Sequence, residues 1–290
     1  MQKAASNTGG ASSASSQKTK ALLFCSAFVV GCSVNHQQIL HKSAAESHTG
    51  MVAEYNELPI AMLLPHKPAN PDLPLRIYIE GDGRAWITKT QPSLDPTPRD
   101  SFMRELAIAD DKSAIYLARP CQYKKNPNCN ITLWTNMRFS QVVLDSMNSA
   151  LEDIKHRYQV RSFELVGYSG GATAALLLAA QRDDVSTVQT IAGNISPTAW
   201  IKRHRLTPLN GSLVPTDFSH RLKSIPQRHF FGAKDQNIPP ETYLDYLENL
   251  DVEPECSEAI VIPDATHDAG WTQAWQHWSN KPVICRQFNQ

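Results

Sequence analysis

Two features are missing from this sequence, and each absence excludes a class of protein. No apolar run reaches the roughly 18 to 20 residues that a membrane-spanning helix needs, because the run at 21–31 (ALLFCSAFVVG) is too short. An excess of one charge is also lacking, since 28 Lys and Arg balance 28 Asp and Glu. No basic block follows residue 50. We therefore expect no nucleic-acid partner, because binding one needs Lys and Arg grouped on one face.

Motifs for cofactors and metals are absent as well. The sequence has no G-x-G-x-x-G after a strand-like segment, no phosphate loop with Lys and no paired His at helical spacing. Its six Cys include no C-x-x-C pair with zinc spacing. We expect chemistry that needs neither a cofactor nor a metal.

The chain is long enough for one α/β domain once an N-terminal targeting region is set aside. It has 290 residues, of which 41% are hydrophobic. Such a composition supports a substantial core without metals or oligomerisation. One domain, over residues 51–290, is the prediction.

The N-terminus has the order of an export signal, with Lys18 and Lys20 before the apolar run. The segment Val29 to Cys32 resembles the bacterial lipobox, in which the cysteine is acylated and becomes the first mature residue. We predict a lipoprotein signal peptide over 1–32 ending at the lipidated Cys32, and a flexible tether over 33–50. A simple secretory signal or a buried N-terminal helix are the alternatives.

The predicted lipid would anchor the protein in a bacterial cell envelope, facing the periplasm. Ser33 directly after the acylated cysteine resembles the outer-membrane class of such proteins. The anchor makes the membrane a partner, reached through the N-terminal lipid.

Four cysteines remain in the predicted domain, an even number that suits disulfides in an oxidising compartment. Cys121 and Cys129 enclose a short loop (CQYKKNPNC) that can close locally, which leaves Cys256 to pair with Cys285. Four cysteines allow three connectivities, so the other two remain open.

From residue 55 short strand-like runs alternate with helical patterns, which is typical of βαβ units. Several strands are apolar on both faces, as a sheet covered on both sides requires. The predicted fold is α/β, a doubly wound, mostly parallel sheet with helices on both faces. The predicted strands are 58–64, 75–80, 113–118, 162–167, 188–192, 228–231 and 259–262, and the predicted helices are 99–110, 139–158, 170–182, 240–250 and 271–278.

A small insertion separates the fifth and sixth predicted strands. Residues 195–225 contain three prolines and no clear strand. Loops after strands surround the ligand crevice of such folds, so this insertion is a candidate lid. A surface excursion without a role in binding is the alternative.

The segment Gly167-Tyr168-Ser169-Gly170-Gly171 follows the strand SFELVG and opens the helix GGATAALLLAA. This is the strand, turn and helix context of a G-x-S-x-G nucleophile elbow. Its glycines let the strand and helix approach closely while the Ser169 hydroxyl stays exposed. A Gly-Ser turn without chemistry is the alternative.

A serine hydroxyl needs a base to take its proton and an acid to orient that base. His267 follows the last predicted strand, whereas His229 lies within a strand and reads as a core residue. Asp235 follows the sixth predicted strand, so its carboxylate emerges at the same sheet edge. The rivals Asp264 and Asp268 flank His267 too closely to reach its far ring nitrogen.

An oxyanion also needs backbone donors. Gly170 N–H supplies one, and the loop after the second predicted strand supplies the other, from Asp82 or Gly83. A plain turn is the alternative reading of that loop. The Asp82 carboxylate would oppose an oxyanion unless it points away or pairs with Arg84.

The elbow GYSGG and the segments FFGAKD, ATHDAGW and IYIEGDGRAW together resemble the α/β-hydrolase superfamily, and most of all bacterial lipoproteins of that fold. The likeness covers about residues 55–280 and implies a Ser169, Asp235, His267 triad. We expect a cell-envelope serine hydrolase, an esterase acting on a small-molecule or acyl-ester substrate. The alternatives are a serine peptidase, an acyltransferase, or a binding protein that keeps only the fold.

Overall fold

A computed structural model of the chain describes Leu40, residues 46–251 and residues 254–283. In this part of the chain eight strands form one sheet in the order β1-β2-β4-β3-β5-β6-β7-β8. The strands are β1 (His48–Tyr55), β2 (Leu58–Pro65), β3 (Leu75–Ile79), β4 (Ala114–Leu117), β5 (Phe163–Tyr168), β6 (Val185–Ile191), β7 (Gln227–Gly232) and β8 (Ser257–Ile262).

The sheet is mostly parallel, as predicted. β1 pairs antiparallel with β2 and β2 with β4, and the remaining neighbours run parallel. Strands β2 to β5 are buried throughout their length because helices cover the sheet. The doubly wound α/β prediction is confirmed.

Seven α-helices lie in the described residues, and they pack into two separate cores. One core contains the buried residues of α2 and α3, and the other contains those of α1 and α7. Helix α3 is buried on nearly all sides, which explains its Ala- and Leu-rich sequence without a polar face. The helices are α1 (Phe102–Ile108), α2 (Gln141–Tyr158), α3 (Gly170–Gln181), α4 (Pro197–His204), α5 (Ser219–Leu222), α6 (Thr242–Glu248) and α7 (Thr272–Trp278).

The predicted tether over 33–50 extends too far, because residues 48–50 belong to strand β1 of the sheet. The hairpin to β2 turns at Asn56 and Glu57, whose φ angles of 47° and 67° are both positive. Such a two-residue turn favours Asn-Gly. Because Glu57 stands in the second position, the sequence lacks the usual signal of a hairpin here. The half-buried edge strand also has no strong apolar alternation.

The predicted insertion lies between β6 and β7 and contains α4, a 3₁₀ turn (Pro215–Phe218) and α5. Its role as a lid stays a prediction. The signal peptide 1–32, Cys32 and most of the tether lie outside the described residues. Within the part that is described, no helix is long and apolar enough to cross a bilayer.

A disulfide joins Cys121 to Cys129, with their Cα atoms 5.8 Å apart. It closes the segment that follows β4. Cys256 is also disulfide-bonded. The predicted partner Cys285 lies outside the described residues.

Candidate active site

Polar side chains from five parallel strands meet at the carboxyl edge of the sheet. Asp82 follows β3, Arg119 follows β4, Ser169 follows β5, Asp235 follows β7 and His267 follows β8. Loops at this edge form the ligand crevice of open α/β sheets. The sheet order therefore brings together residues that lie up to 185 positions apart in the chain.

Ser169 occupies the tight turn between β5 and α3. Its φ of 50° and ψ of −120° are strained for a residue with a side chain. The turn is possible because glycines stand on both sides: a Cβ on Gly167 would lie 2.5 Å from the Gly171 oxygen, and one on Gly171 2.5 Å from the Ile79 oxygen. The strain presents the Ser169 hydroxyl at the edge of the sheet.

Ser169, His267 and Asp235 form a continuous hydrogen-bonded chain. The Ser169 Oγ lies 3.0 Å from His267 Nε2, and His267 Nδ1 lies 2.9 Å from Asp235 Oδ2. Because a carboxylate only accepts, Nδ1 carries the proton and Nε2 is left to accept from the serine. This is the arrangement that nucleophilic activation of a serine needs.

Asp235 is held firmly for its part in this chain. It is 3% exposed, and its Oδ1 accepts the backbone N–H groups of Asn237 at 2.8 Å and Ile238 at 2.9 Å. The other oxygen is thereby left for His267. Two rival carboxylates are engaged elsewhere: Asp264 pairs with Lys234 at 2.8 Å, and Asp268 Oδ1 lies 3.1 Å from the Tyr168 hydroxyl.

The loop after β3 packs directly on the elbow. A Cβ on Gly81 would lie 3.5 Å from the Ser169 Cβ, and one on Gly170 would overlap the Asp82 carboxylate. The Gly81 N–H is already engaged by Glu80 Oε1 at 2.9 Å. The amides of Gly170, at the start of a helix, and of Asp82 are the candidate oxyanion donors, while Gly83 packs against the oxygen of Pro96.

The Asp82 carboxylate pairs with two arginines, and neither is Arg84. It contacts Arg138 Nη1 directly and lies 3.6 Å from Arg119 Nη1. Arg119 also donates to the Arg138 carbonyl. Burial is the main reason why the pKa of Arg119 falls to about 10. Two cations beside one carboxylate offset its repulsion of a nearby oxyanion. An acidic residue at position 82 is therefore compatible with an oxyanion site.

Glu80 stands at the start of the same loop and is fully buried. Its Oε2 accepts the Tyr116 hydroxyl at 2.8 Å, while its Oε1 accepts the Gly81 amide. Burial, followed by repulsion from Asp100, raises the pKa of Glu80 to about 7. A titrating carboxyl group therefore supports the loop whose backbone faces Ser169.

A second polar side chain reaches the base. Asn237 Nδ2 lies 3.3 Å from His267 Nε2, and Asn237 Oδ1 accepts the indole N–H of Trp200 at 3.1 Å. Because an indole nitrogen can only donate, this contact fixes which end of the amide faces His267. Trp200 lies on α4, so the insertion contributes to the site.

These groups surround a cavity of about 320 Å³ above Ser169. The cavity has more polar than apolar lining, including Asp82, Arg138 and Asn194. Trp86 and Trp200 add aromatic surface. No group of His, Cys, Asp and Glu suited to holding a metal occurs among the described residues.

Sequence reasoning missed Arg119, Arg138, Asn237 and Trp200. Arg119 and Asn237 follow β4 and β7 closely, so their position after a strand was the available signal. Arg138 and Trp200 reach the site from outside the strand ends and carry no local signal. Ser169, Asp235 and His267, which the sequence singled out, lie together.

The sheet order, the two helical layers and the serine elbow define the α/β-hydrolase fold. The chain is similar to an esterase from Pyrococcus furiosus, with a TM-score of 0.58 and 12% identity over 82% of this chain and 91% of that one. A protein from Thermus thermophilus gives a TM-score of 0.52 and 17% identity over 76% and 90% of the two chains.

An acylaminoacyl peptidase from Pyrococcus horikoshii is a third similar structure, with a TM-score of 0.53 and 11% identity. The match covers 80% of this chain and 39% of the peptidase. No protein-family model and no curated protein matches the sequence. At these identities the likeness shows the fold.

Proposed function

We propose that this protein is a serine hydrolase of the bacterial cell envelope that cleaves carboxylic esters through an acyl-enzyme. The observation that carries the proposal is the 3.0 Å contact between Ser169 Oγ and His267 Nε2 at a strained elbow. His267 is in turn oriented by the buried Asp235. A fold alone does not specify chemistry, but a positioned nucleophile and base do.

In the first half-reaction Ser169 Oγ attacks the ester carbonyl carbon while His267 Nε2 takes its proton. The carbonyl oxygen becomes an oxyanion, which the amides of Gly170 and Asp82 stabilise. The C–O bond to the alcohol then breaks, and His267 gives its proton to the departing oxygen. An acyl-enzyme and a free alcohol result.

In the second half-reaction water attacks the acyl carbon and transfers a proton to His267. The bond to Ser169 Oγ breaks, and His267 returns the proton to the serine. The carboxylic acid is released and the resting site is restored. Asp235 keeps His267 in the required tautomer during both steps.

Labelling by a small fluorophosphonate tests this proposal, because such a probe reacts with an activated serine. We expect the full-length protein to be labelled and the Ser169→Ala and His267→Ala variants to remain unlabelled. His277→Ala is the matched control, because His277 is an exposed residue of α7 and should leave labelling unchanged. A folded wild-type protein that is not labelled contradicts the proposal.

The envelope location rests on the lipobox-like segment that ends at Cys32. We expect the full chain, expressed in a bacterium, to incorporate labelled palmitate and to sediment with membranes. Cys32→Ser should abolish both results, whereas Cys25→Ser, seven positions earlier and inside the apolar run, should change neither. Membrane-free wild-type protein without palmitate contradicts the location.

A further inference from the structure

The cavity above Ser169 is small and polar. Its volume of about 320 Å³ lies at the low end of the roughly 300 to 1,000 Å³ seen for ligand sites. A long alkyl chain needs an apolar trough, whereas the lining includes the ion pair of Asp82 with Arg138 and the carboxylates of Asp100 and Asp268. The site is therefore built for a compact substrate with polar atoms.

Arg138 is a residue of this lining with a charged donor to spare. Its Nε donates to the Thr135 carbonyl at 2.7 Å, and its Nη1 is bound to Asp82. Nη2 has no hydrogen-bond partner within the described part of the chain. It is also not completely buried. Because Arg138 lines the cavity, its Nη2 is the charged donor that a ligand there can engage.

The position of Arg138 is fixed by its neighbours. Its guanidinium lies 6.0 Å from the ring centroid of Trp200 and 5.9 Å from that of Phe139. The two neighbouring aromatic rings and the two engaged nitrogens restrict the side chain. A substrate oxygen that meets Nη2 therefore finds a preorganised donor and makes a charge-assisted hydrogen bond.

An alkyl chain at the same place would remove the ion pair from water without providing an acceptor, and that desolvation is unfavourable. The reaction places the alcohol at His267, which must protonate it, while the carbonyl end of the acyl group faces the loop of Asp82. Arg138 binds the carboxylate of Asp82, whose backbone amide is the proposed donor to the carbonyl oxygen, and on this connection the proposal assigns the remaining donor of Arg138 to the acyl group.

We infer that the site is specific for esters of short acyl groups that carry an oxygen atom along the chain, and that Arg138 is the specificity-determining residue that donates to this oxygen. This inference rests on the proposed function. The expected substrates are esters of small, oxygen-bearing acyl groups, and the long-chain esters of lipids are expected to react more slowly.

The test uses a matched pair of 4-nitrophenyl esters. Methoxyacetate and butyrate have the same number of non-hydrogen atoms and differ by one ether oxygen. For each, kcat/KM is divided by the rate of alkaline hydrolysis, which removes the difference in intrinsic reactivity. We expect the full-length enzyme to prefer methoxyacetate about tenfold, as a hydrogen bond to a charged donor permits, and to cleave octanoate more slowly than butyrate.

Variants of Arg138 identify the origin of that preference. Arg138→Met should bring the ratio of methoxyacetate to butyrate close to one, and Arg138→Lys, which keeps the charge, should retain part of it. Arg203→Met is the matched control, because Arg203 pairs with Asp245 on the surface. Both esters are measured with the same protein preparation. Partial loss of folded enzyme therefore does not change the ratio of methoxyacetate to butyrate.

Three outcomes overturn the inference. A wild-type ratio near one, a faster reaction with octanoate, or a ratio that survives Arg138→Met would each do so while fluorophosphonate labelling still shows an active serine. If the wild-type protein is neither labelled nor active on any ester, the proposed function itself has failed.

Discussion

The Asp82 carboxylate occupies the space in which a side chain on residue 170 would have to lie. A Cβ on Gly170 would overlap that carboxylate, and the carboxylate is in turn held by Arg119 and Arg138. The G-x-S-x-G pattern leaves the position after the serine free. In this protein that position must also be glycine, because a charged side chain from another loop fills the space.

Gly170→Ala should therefore abolish most of the activity while the protein still folds. The methyl group forces Asp82 away from Ser169 and moves the amide proposed as an oxyanion donor, and loss of such a donor costs about 10² to 10³ in kcat. Ester hydrolysis and fluorophosphonate labelling measure the effect. Gly170→Ala should cost less stability in an Asp82→Ala background than in the wild type, because the overlapping carboxylate is then gone; equal costs in the two backgrounds would contradict the overlap.

Asp82→Asn should destabilise the protein by about 1 to 3 kcal/mol, because it leaves two buried cations without their counter-charge. The side chains of Arg119 and Arg138 are each 7% exposed, while that of Asp82 is 23% exposed, so solvent screening moderates the effect. Urea unfolding provides the measurement. Asp183→Asn breaks an ion pair with Arg221 on the open surface and should leave the midpoint unchanged.

Asp235→Asn should lower kcat about a thousandfold or more, since the amide no longer holds His267 with its proton on Nδ1. The fold should persist because the substitution keeps the shape of the side chain. Steady-state ester hydrolysis measures the loss. Asp264→Asn is the control: Asp264 is the exposed carboxylate three residues before His267, and a comparable loss there would reassign the acid.

Glu80→Gln should change how stability depends on pH. In the folded protein burial raises the pKa of Glu80 from an ordinary value of 4.5 to about 7. The protonated form thus favours folding, and its contribution is complete below about pH 4.5 and is lost as pH rises to about 7. The wild type should lose about 3 kcal/mol relative to Glu80→Gln across this interval.

The measurement is the free energy of unfolding of both proteins from pH 4 to pH 8. Burial also lowers the pKa of His229 to about 3, which costs stability as pH falls, but this residue is present in both proteins and cancels in the difference. A difference that stays flat with pH would show that Glu80 does not titrate in this interval.

Much of the fold was open to prediction because its signals are local. The buried parallel strands are continuous apolar runs, and the helix that follows Ser169 is unmistakably apolar. Strand β1 was not predicted, because it is a half-buried edge strand. Its place in the sheet depends on its pairing with β2 and on the turn at Asn56 and Glu57, which contains no glycine. The sequence signal at such an edge is weak.

The grouping of Ser169, Asp235 and His267 was predictable to the same extent. Ser169 lies in a recognisable motif, and Asp235 and His267 stand directly after strands, where chain order implies a shared sheet edge. The partners of Asp82 were not predictable: Arg84 was one of the two solutions that the sequence offered, but the carboxylate pairs with Arg119 and Arg138 instead. Arg84 is two residues away along the chain, whereas Arg119 reaches Asp82 because β4 lies beside β3 in the sheet. Arg138 reaches Asp82 from the segment just before α2.

The sequence by itself determined the alternation of strands and helices and the residue types at the ends of the strands, because hydrophobic periodicity and turn chemistry act over a few neighbouring residues. Only the tertiary structure decided which charges neutralise Asp82, why residue 170 must be glycine, and that Asn237, which accepts from Trp200, reaches His267. These relationships depend on distances across the sheet, and packing fixes such distances between residues that the chain keeps far apart.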